Sequence, residues 1–159
     1  MARPSKQSHS SYEYAYYSIN DGICGRWSYN QGVILGGLAE LYKASPNQTY
    51  LDEAGKIATA AINLLADSNL VIHESCEPDN CDGDQTQFKG IFIRNLQLLQ
   101  SVAPDDLYVS VINANANSIW ANDQNSANQF GVDWAEYLTP VTASTHSSAM
   151  DALVAAVLY

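Results

Sequence analysis

Apolar residues recur at helical spacing in five stretches of this chain, whereas no stretch alternates as strongly as a β-strand would. The links between these stretches are alternately short and long. This pattern predicts an all-α fold built from pairs of helices. The predicted helices are Tyr29–Ala44, Thr49–Asp67, about Gln87 to Val102, Pro104 to about Asn122, and about Ser144 to the end of the chain.

The first predicted helix combines a clear apolar pattern with residues that oppose helix formation. Its apolar positions fall at helical spacing and predict the buried face: Ile34, Leu38, Leu41 and Tyr42. The same helix contains three glycines, which are poor helix formers: Gly32, Gly36 and Gly37. Three glycines in one helix indicate the close approach of another backbone or of a ligand.

The second predicted helix begins with Thr49 as a plausible N-cap, and small residues dominate its predicted buried face. A long connection, Ser68–Thr86, follows it, and loops of this length are often functional. A second long segment, Asn122–Thr142, is polar and irregular, and Trp134 and Tyr137 are its predicted anchors.

The stretch Cys81–Arg94 changes from small and acidic residues to an apolar run that contains two basic residues, Lys89 and Arg94. Asp84 or Thr86 could accept a bond from a free N–H group of the helix that begins here. One interpretation places both basic residues on the solvated side of this helix, because buried basic groups are rare unless paired. The other places Asp82, Asp84 and Lys89 together in a polar cleft at its start.

Composition narrows the possible functions. The chain has 159 residues, enough for one domain with a core, and 47% of them are apolar. Seventeen acidic residues against seven basic ones argue against binding to nucleic acid or to an anionic membrane. No apolar run is long enough to span a bilayer, and the first residues lack the apolar centre of a signal peptide.

Aromatic residues are numerous, with ten tyrosines and three tryptophans. Together with many Asn, Gln and Ser residues they suit a neutral, hydroxyl-rich ligand such as a sugar. The alternative, which is favoured for any single tyrosine, is a core residue whose hydroxyl reaches water.

The three cysteines suggest one disulfide. Cys76 and Cys81 are close enough in sequence to close a small loop, which leaves Cys24 over. His73, Cys76 and Cys81 could be metal ligands, but the spacing fits no standard zinc pattern. The alternation of Asn80, Asp82 and Asp84 is not followed by the glycine and glutamate that a calcium loop needs. We therefore expect neither a metal nor a cofactor.

Two further polar sites are better explained by helix ends than by catalysis. Asp105 and Asp106 follow Pro104 and are interpreted as a helix start, although they form an adjacent acidic pair. His146 lies between Thr145 and Ser147 and is interpreted as a residue near a helix end.

Three blocks in this order resemble glycoside hydrolase family 76, the α-1,6-mannanases and related cell-wall transglycosidases. They are WSYNQGVILGGLAELYKAS, YLDEAGKIATAAI and CEPDNCDGDQTQFKGIFIRNL. The resemblance runs from about Asp21 to the end of the chain and implies residues 1–20 as a leader outside the family domain. It implies an (α/α)6 toroid of helical hairpins with a sugar cleft at one mouth, and a secreted or cell-wall location.

The same resemblance implies cleavage of α-1,6-mannan with retention, by an adjacent pair of aspartates in the first half of the toroid. Nothing in this chain matches that pair, so the chain resembles a truncated family member, a fragment or one part of a split gene product, and it is expected to be inactive alone. The residues that match family blocks near the cleft mouth are candidate contacts to mannan or to a mannose-containing oligosaccharide: Tyr29, Asn30, Gln31, Asp84, Gln85, Phe88 and Lys89. The Cys76–Cys81 pair resembles a disulfide of a family loop.

Two alternatives remain open at this stage: a non-catalytic carbohydrate-binding domain, and a structural helical domain or protein-interaction surface. A partial toroid would also leave the apolar faces of its first and last helices bare. The expectation is therefore that the isolated chain self-associates through Tyr29–Ala44 and Ser144–Leu158, is marginally stable, or needs a missing N-terminal segment.

Overall fold

The computed structural model of the chain describes residues 27–78, 80–137 and 140–159. Within these ranges it forms five α-helices, and β-structure is limited to two isolated bridges, which confirms the predicted all-α fold. The helices are α1 (Ser28–Ala44), α2 (Gln48–Leu65), α3 (Phe88–Gln100), α4 (Asp106–Asn122) and α5 (Ala143–Ala156). The predicted leader at residues 1–20 and Cys24 lie outside the described residues. No helix among these residues is long and apolar enough to cross a membrane.

The helices pack in two layers. α1, α3 and α5 lie side by side, with α3 in the middle, and α2 and α4 pack behind them. The short links at residues 45–47 and 101–105 lie at one end of the layers, and the long loops at residues 66–84 and 123–142 lie at the other. The loops therefore gather at the end where α1, α3 and α5 begin, and we call this the loop end.

Polar side chains fix where the helices begin. Asn47 caps α2, because its Oδ1 accepts a hydrogen bond from Thr49 N at 3.0 Å, so the prediction of Thr49 as the N-cap was wrong. Asp105 caps α4 by accepting from Leu107 N at 2.8 Å, which confirms that the acidic pair marks a helix start. Thr142 and Thr145 form a capping box at the start of α5.

The predicted buried face of α1 is half confirmed, because Leu38 and Tyr42 are partly buried and pack against the core. The large apolar side chains of Ile34 and Leu41 are exposed, whereas the small residues Gly32, Gly36 and Ala39 are buried with Leu35. Two of the three glycines explain the difference. A Cβ on Gly32 would lie 2.6 Å from Phe92 Cα, so α1 and α3 pack nearly backbone to backbone at this point, whereas a Cβ on Gly36 would collide with the side chain of Asn95. Gly37 has no such neighbour within 4 Å.

The contact between α3 and α5 also depends on a glycine. A Cβ on Gly90 would lie 2.6 Å from Ser148 O, and Gly90 N donates a hydrogen bond to Ser148 Oγ at 2.9 Å. The three helices of the front layer thus lie close together because glycines occupy their contact points. Larger apolar side chains fill the space between the two layers, including Phe92, Leu96, Val111 and Ile119.

We predict that Gly90→Ala lowers the free energy of unfolding by about 1–3 kcal/mol, because the added methyl group has no space beside Ser148. Gly37→Ala is the matched control on an open helix surface, where the loss of a helical glycine should raise stability by up to about 1 kcal/mol. Urea unfolding of both variants measures the difference. Equal stability of the two variants would contradict the packing described here.

The first and last helices expose large apolar side chains. On α1 these are Val33, Ile34 and Leu41, and Val154 on α5 is 60% exposed. Just beyond the end of α5, Val157 is 83% exposed and Leu158 is 64% exposed. Apolar surface of this kind favours association, since covering it contributes about 25 cal/mol per Å².

We predict that the isolated chain self-associates through these surfaces, with a second copy of the chain as the partner. Replacing Val154 and Val157 by Gln should shift the population towards monomer in light scattering after size-exclusion chromatography. The control makes the same kind of change on the exposed surface of α2, as Thr59→Gln with Asn63→Gln. A monodisperse monomer of ordinary stability would rule the prediction out.

Candidate functional site

At the loop end, the starts of α1 and α3 bring together two segments that are far apart in sequence. The ring of Tyr29 packs on the ring of Phe88 with centroids 4.2 Å apart, and Trp27 meets the same Phe88 edge-on at 5.4 Å. All three aromatic side chains are half-buried, so part of each is accessible. Asn30 is exposed and Gln31 is half-buried on the same turn of α1.

Asp84 and Gln85 lie in the turn that leads into α3. Asp82 Oδ1 accepts hydrogen bonds from Asp84 N and Gln85 N, both at 3.0 Å, and Gln85 Oε1 accepts from Asp82 N at 3.1 Å. The acceptor in this turn is therefore Asp82, and the prediction that Asp84 or Thr86 plays this part was wrong. Asp84 is exposed beside the turn, so its carboxylate reaches solvent.

Lys89 is buried, with 2% of its surface exposed. Its ammonium lies 2.5 Å from Glu77 Oε1 and 4.4 Å from the centroid of the Trp134 ring. Both interpretations of this lysine were wrong, since it neither faces solvent nor meets Asp82 and Asp84. A buried ammonium needs a paired anion, and Glu77 from the preceding loop supplies it.

Arg94 behaves differently. It is exposed and pairs with Asp151 of α5, with Nη1 and Oδ2 2.9 Å apart. The solvated position predicted for it is confirmed. The two basic residues of one apolar run thus have opposite environments, because they lie on opposite sides of α3.

Glu77 also contacts His73. Its Oε2 lies 3.3 Å from His73 Nδ1, and Asp133 Oδ1 lies 4.0 Å from the same nitrogen. The hydrogen bond to Glu77 raises the pKa of His73. These three side chains lie close enough together to hold a metal ion. However, the Lys89 ammonium already supplies a positive charge to Glu77, so we assign no metal here.

Glu74 ties the same loop to the start of α1. Its Oε1 accepts a hydrogen bond from Ser28 N at 3.0 Å and another from Ser28 Oγ. Glu74 therefore serves the N-terminus of α1, where Trp27 offers no side-chain cap. Burial raises the pKa of Glu74 to about 7, although both hydrogen bonds from Ser28 oppose the shift.

The second long loop is held by a buried carboxyl of its own. Asp123, at the end of α4, accepts a hydrogen bond from Gly131 N at 2.8 Å, and burial raises its pKa to about 7. Ser118 Oγ donates to Trp134 O at 2.9 Å, and the Trp134 side chain is fully buried, as an anchor should be. Glu74, Glu77 and Asp123 were missed in the sequence because nothing in their spacing marks them as buried partners.

Cys76 and Cys81 form a disulfide with Cα atoms 4.8 Å apart. The bridge joins the segment that carries Glu77 to the turn that precedes α3, and it excludes both sulfur atoms as thiolate metal ligands. Asp105 and Asp106 lie beyond the other end of α3. A helix of 13 residues places them about 20 Å from Phe88 and Lys89, so they are no part of this site.

Residues 10–158 match the family described as glycosyl hydrolase family 76. The chain belongs to this family. Among its relatives, the mannan endo-1,6-alpha-mannosidase DFG5 of Saccharomyces cerevisiae is 33% identical over 117 residues, which cover 68% of this chain and 25% of that protein. The DFG5 enzyme of Candida albicans is 32% identical over 81 residues, which cover 50% of this chain and 18% of that protein.

Solved structures share the fold of this chain. The Lin0763 protein from Listeria innocua gives a TM-score of 0.74 at 28% identity. This match covers 83% of this chain and 37% of the Listeria protein. An inactive variant of the α-1,6-mannanase GH76A of Salegentibacter sp. HEL1_6, in complex with α-1,6-mannotriose, gives a TM-score of 0.71 at 26% identity. This match covers 83% of this chain and 40% of the mannanase. The helical hairpins of this chain are thus part of an (α/α)6 toroid. The chain spans a quarter or less of the length of the two curated relatives named above.

The two raised carboxyl pKa values predict how stability depends on pH. Because folding raises the pKa of Glu74 from 4.5 to about 7, the folded state holds this proton more tightly than the unfolded state does. The stability that it contributes is complete below about pH 4.5 and is lost as the pH rises through 7, on the order of 3 kcal/mol for this group. Burial also raises the pKa of Asp123, so this residue adds a further loss of stability as the pH rises.

Thermal unfolding between pH 5 and pH 8 measures this loss. Glu74→Gln keeps an oxygen acceptor for Ser28 but cannot ionise, so its melting temperature should fall less over this range than that of the unmodified protein. Glu136→Gln is the control, because Glu136 is an exposed carboxyl. Identical pH profiles for Glu74→Gln and the unmodified protein would refute the argument.

Proposed function

We propose that this chain forms part of the substrate cleft of a family 76 glycoside hydrolase that acts on α-1,6-linked mannan. The observation that carries the proposal is the contact between Tyr29 and Phe88, which joins two sequence blocks typical of the family at the loop end. Family membership and the likeness to a mannanase bound to α-1,6-mannotriose support the choice of sugar.

The proposed binding face combines aromatic and polar groups. Half-buried rings can cover the C–H face of a pyranose, while amides and carboxylates take its hydroxyl groups. On this basis the proposed sugar contacts are Tyr29, Asn30, Gln31, Asp84, Gln85 and Phe88. Lys89 was included in the same set, but its ammonium is already bound by Glu77 and covered by Trp134. We assign it the role of holding the loop beneath the face.

Cleavage needs more than these residues offer. A retaining glycosidase uses two carboxyl groups about 5–5.5 Å apart, one as nucleophile and one as general acid. Asp105 caps a helix at the far end, and Asp52 and Glu53 lie on the outer helix α2. We therefore propose that the chain binds mannan but does not hydrolyse it alone. We also propose a secreted or cell-wall location, which the disulfide supports because such bonds persist in oxidising surroundings.

Binding and turnover test this proposal together. The chain should bind α-1,6-mannotriose in calorimetry, and Tyr29→Ala should weaken binding about tenfold or more, a loss of about 1.4 kcal/mol, because it removes one ring of the face. Tyr50→Ala is the matched control, since Tyr50 is also half-buried but lies at the start of α2, away from the loop end.

Incubation with linear α-1,6-mannan should release no products. Turnover that Asp84→Asn abolishes would show that the catalytic carboxylates lie in this chain after all. Absence of mannotriose binding, or equal loss in both tyrosine variants, would favour a structural helical domain whose exposed apolar helices bind other protein.

A further inference from the structure

A cavity lies at the loop end, on the side of the start of α3 that is opposite the Tyr29–Phe88 face. The Tyr29–Phe88 face lies between α1 and α3, whereas this cavity lies between the turn at residues 81–86 and the start of α5. Its volume is about 190 Å³, the space of about six water molecules at about 30 Å³ each. It therefore suits a single small unit and not a longer chain.

One wall of the cavity is a row of hydroxyl groups. Ser144 Oγ lies 2.8 Å from both Thr86 Oγ1 and Thr142 Oγ1, and Thr86 Oγ1 donates its hydrogen to Gly83 O at 2.8 Å. Each hydroxyl group has one donor and two acceptor positions, so the row retains capacity for a ligand. Hydroxyl groups that can act as donor or acceptor match the hydroxyl groups of a sugar, which have the same dual character.

Asp82 adds a fixed carboxylate. Its Oδ1 is held by the N–H groups of Asp84 and Gln85, so Oδ2 can accept hydrogen bonds from a ligand without disturbing the turn. Carboxylates in this position bind neighbouring hydroxyl groups and repel anions. Among the residues that the structure describes, no basic one lines this cavity, which disfavours phosphate or another anionic ligand.

The remaining walls are apolar and firmly held. Pro78, Val132 and Pro140 line the cavity and offer surface for the C–H groups of a pyranose ring. The Cys76–Cys81 disulfide holds one wall, and the capping box of Thr142 and Thr145 holds the other. A site whose walls are already fixed loses little entropy when it binds.

We propose that this cavity is a second sugar subsite, which holds one neutral hexose unit beside the glycan bound at the Tyr29–Phe88 face. The proposal rests on the proposed function for the class of sugar, since the unit would be a mannose of the same glycan. This subsite would bind a side unit or a neighbouring unit of the glycan. Glycans that reach both the cavity and the Tyr29–Phe88 face should therefore bind more tightly.

Gly83 allows the cavity to be filled without damage to the fold. A Cβ at Gly83 would meet nothing within 4 Å, so Gly83→Leu introduces bulk at the cavity wall and not a clash with the backbone. Gly37→Leu is the matched control, because Gly37 has equally open space on α1, away from the cavity. Ser144→Ala is a milder variant, because it interrupts the hydroxyl row but leaves the Thr142 cap in place.

Amide chemical shifts of the full chain, titrated with methyl α-D-mannopyranoside, test the proposal. We expect shifts at Gly83, Thr86 and Ser144, with an affinity that falls at least tenfold in Gly83→Leu and about fivefold in Ser144→Ala, the worth of about one hydrogen bond. Gly37→Leu should bind like the unmodified protein.

The outcomes separate this proposal from the proposed function. Shifts at Tyr29 and Phe88 without shifts at Gly83 and Ser144 would overturn the second subsite and leave the main face intact. Shifts at the cavity that Gly83→Leu does not weaken would also overturn it, because the ligand would lie elsewhere. Equal shifts with methyl β-D-galactopyranoside would overturn the assignment to mannose, and the absence of any shift would count against both proposals.

Discussion

The ammonium of Lys89, buried between Glu77 and Trp134, is the interaction on which the loop end depends. Its side chain starts from the first turn of α3, Glu77 comes from the loop before α3, and Trp134 comes from the loop before α5. One charge therefore joins a helix to both long loops. Loss of Lys89 or of Glu77 would leave the other charge buried and unpaired, which usually costs about 3–5 kcal/mol, whereas the intact pair adds little net stability. The role of such a pair is to specify the arrangement of the loops.

The front layer of helices supplies the rigid base on which this arrangement is placed. Because Gly32 and Gly90 let the helix backbones approach closely, the starts of α1, α3 and α5 are held in fixed register. Tyr29, Phe88 and Ser144 each lie on a first turn, so their separations follow from that register. The aromatic face and the hydroxyl row are thus set by helix packing, and the loops only complete them.

Much of the fold could be predicted from the sequence, and the reasons for the failures are physical. Helix spacing, the alternation of link lengths and the acidic start of α4 depend on local chemistry, which the sequence displays directly. Two positions of the predicted buried face of α1, Ile34 and Leu41, were wrong because large apolar residues were taken as buried. In this helix Gly32 and Gly36 are buried, and Ile34 and Leu41 are left on the open side. The partner of Lys89 depends on how a long loop folds, and spacing carries no information about that.

The acidic composition has a particular consequence at the loop end. Glu74 and Asp123 lie near one buried lysine, whose ammonium is already at contact distance from Glu77. Burial disfavours the ionised form of Glu74 and Asp123, and the hydrogen bonds that they accept, from Ser28 N and Oγ and from Gly131 N, offset this effect only in part. The proton is therefore retained on these two carboxyls up to about neutral pH. The loops are consequently held by a network whose charge varies with pH. The glycine contacts between the helices involve no ionisable group, so they do not depend on pH.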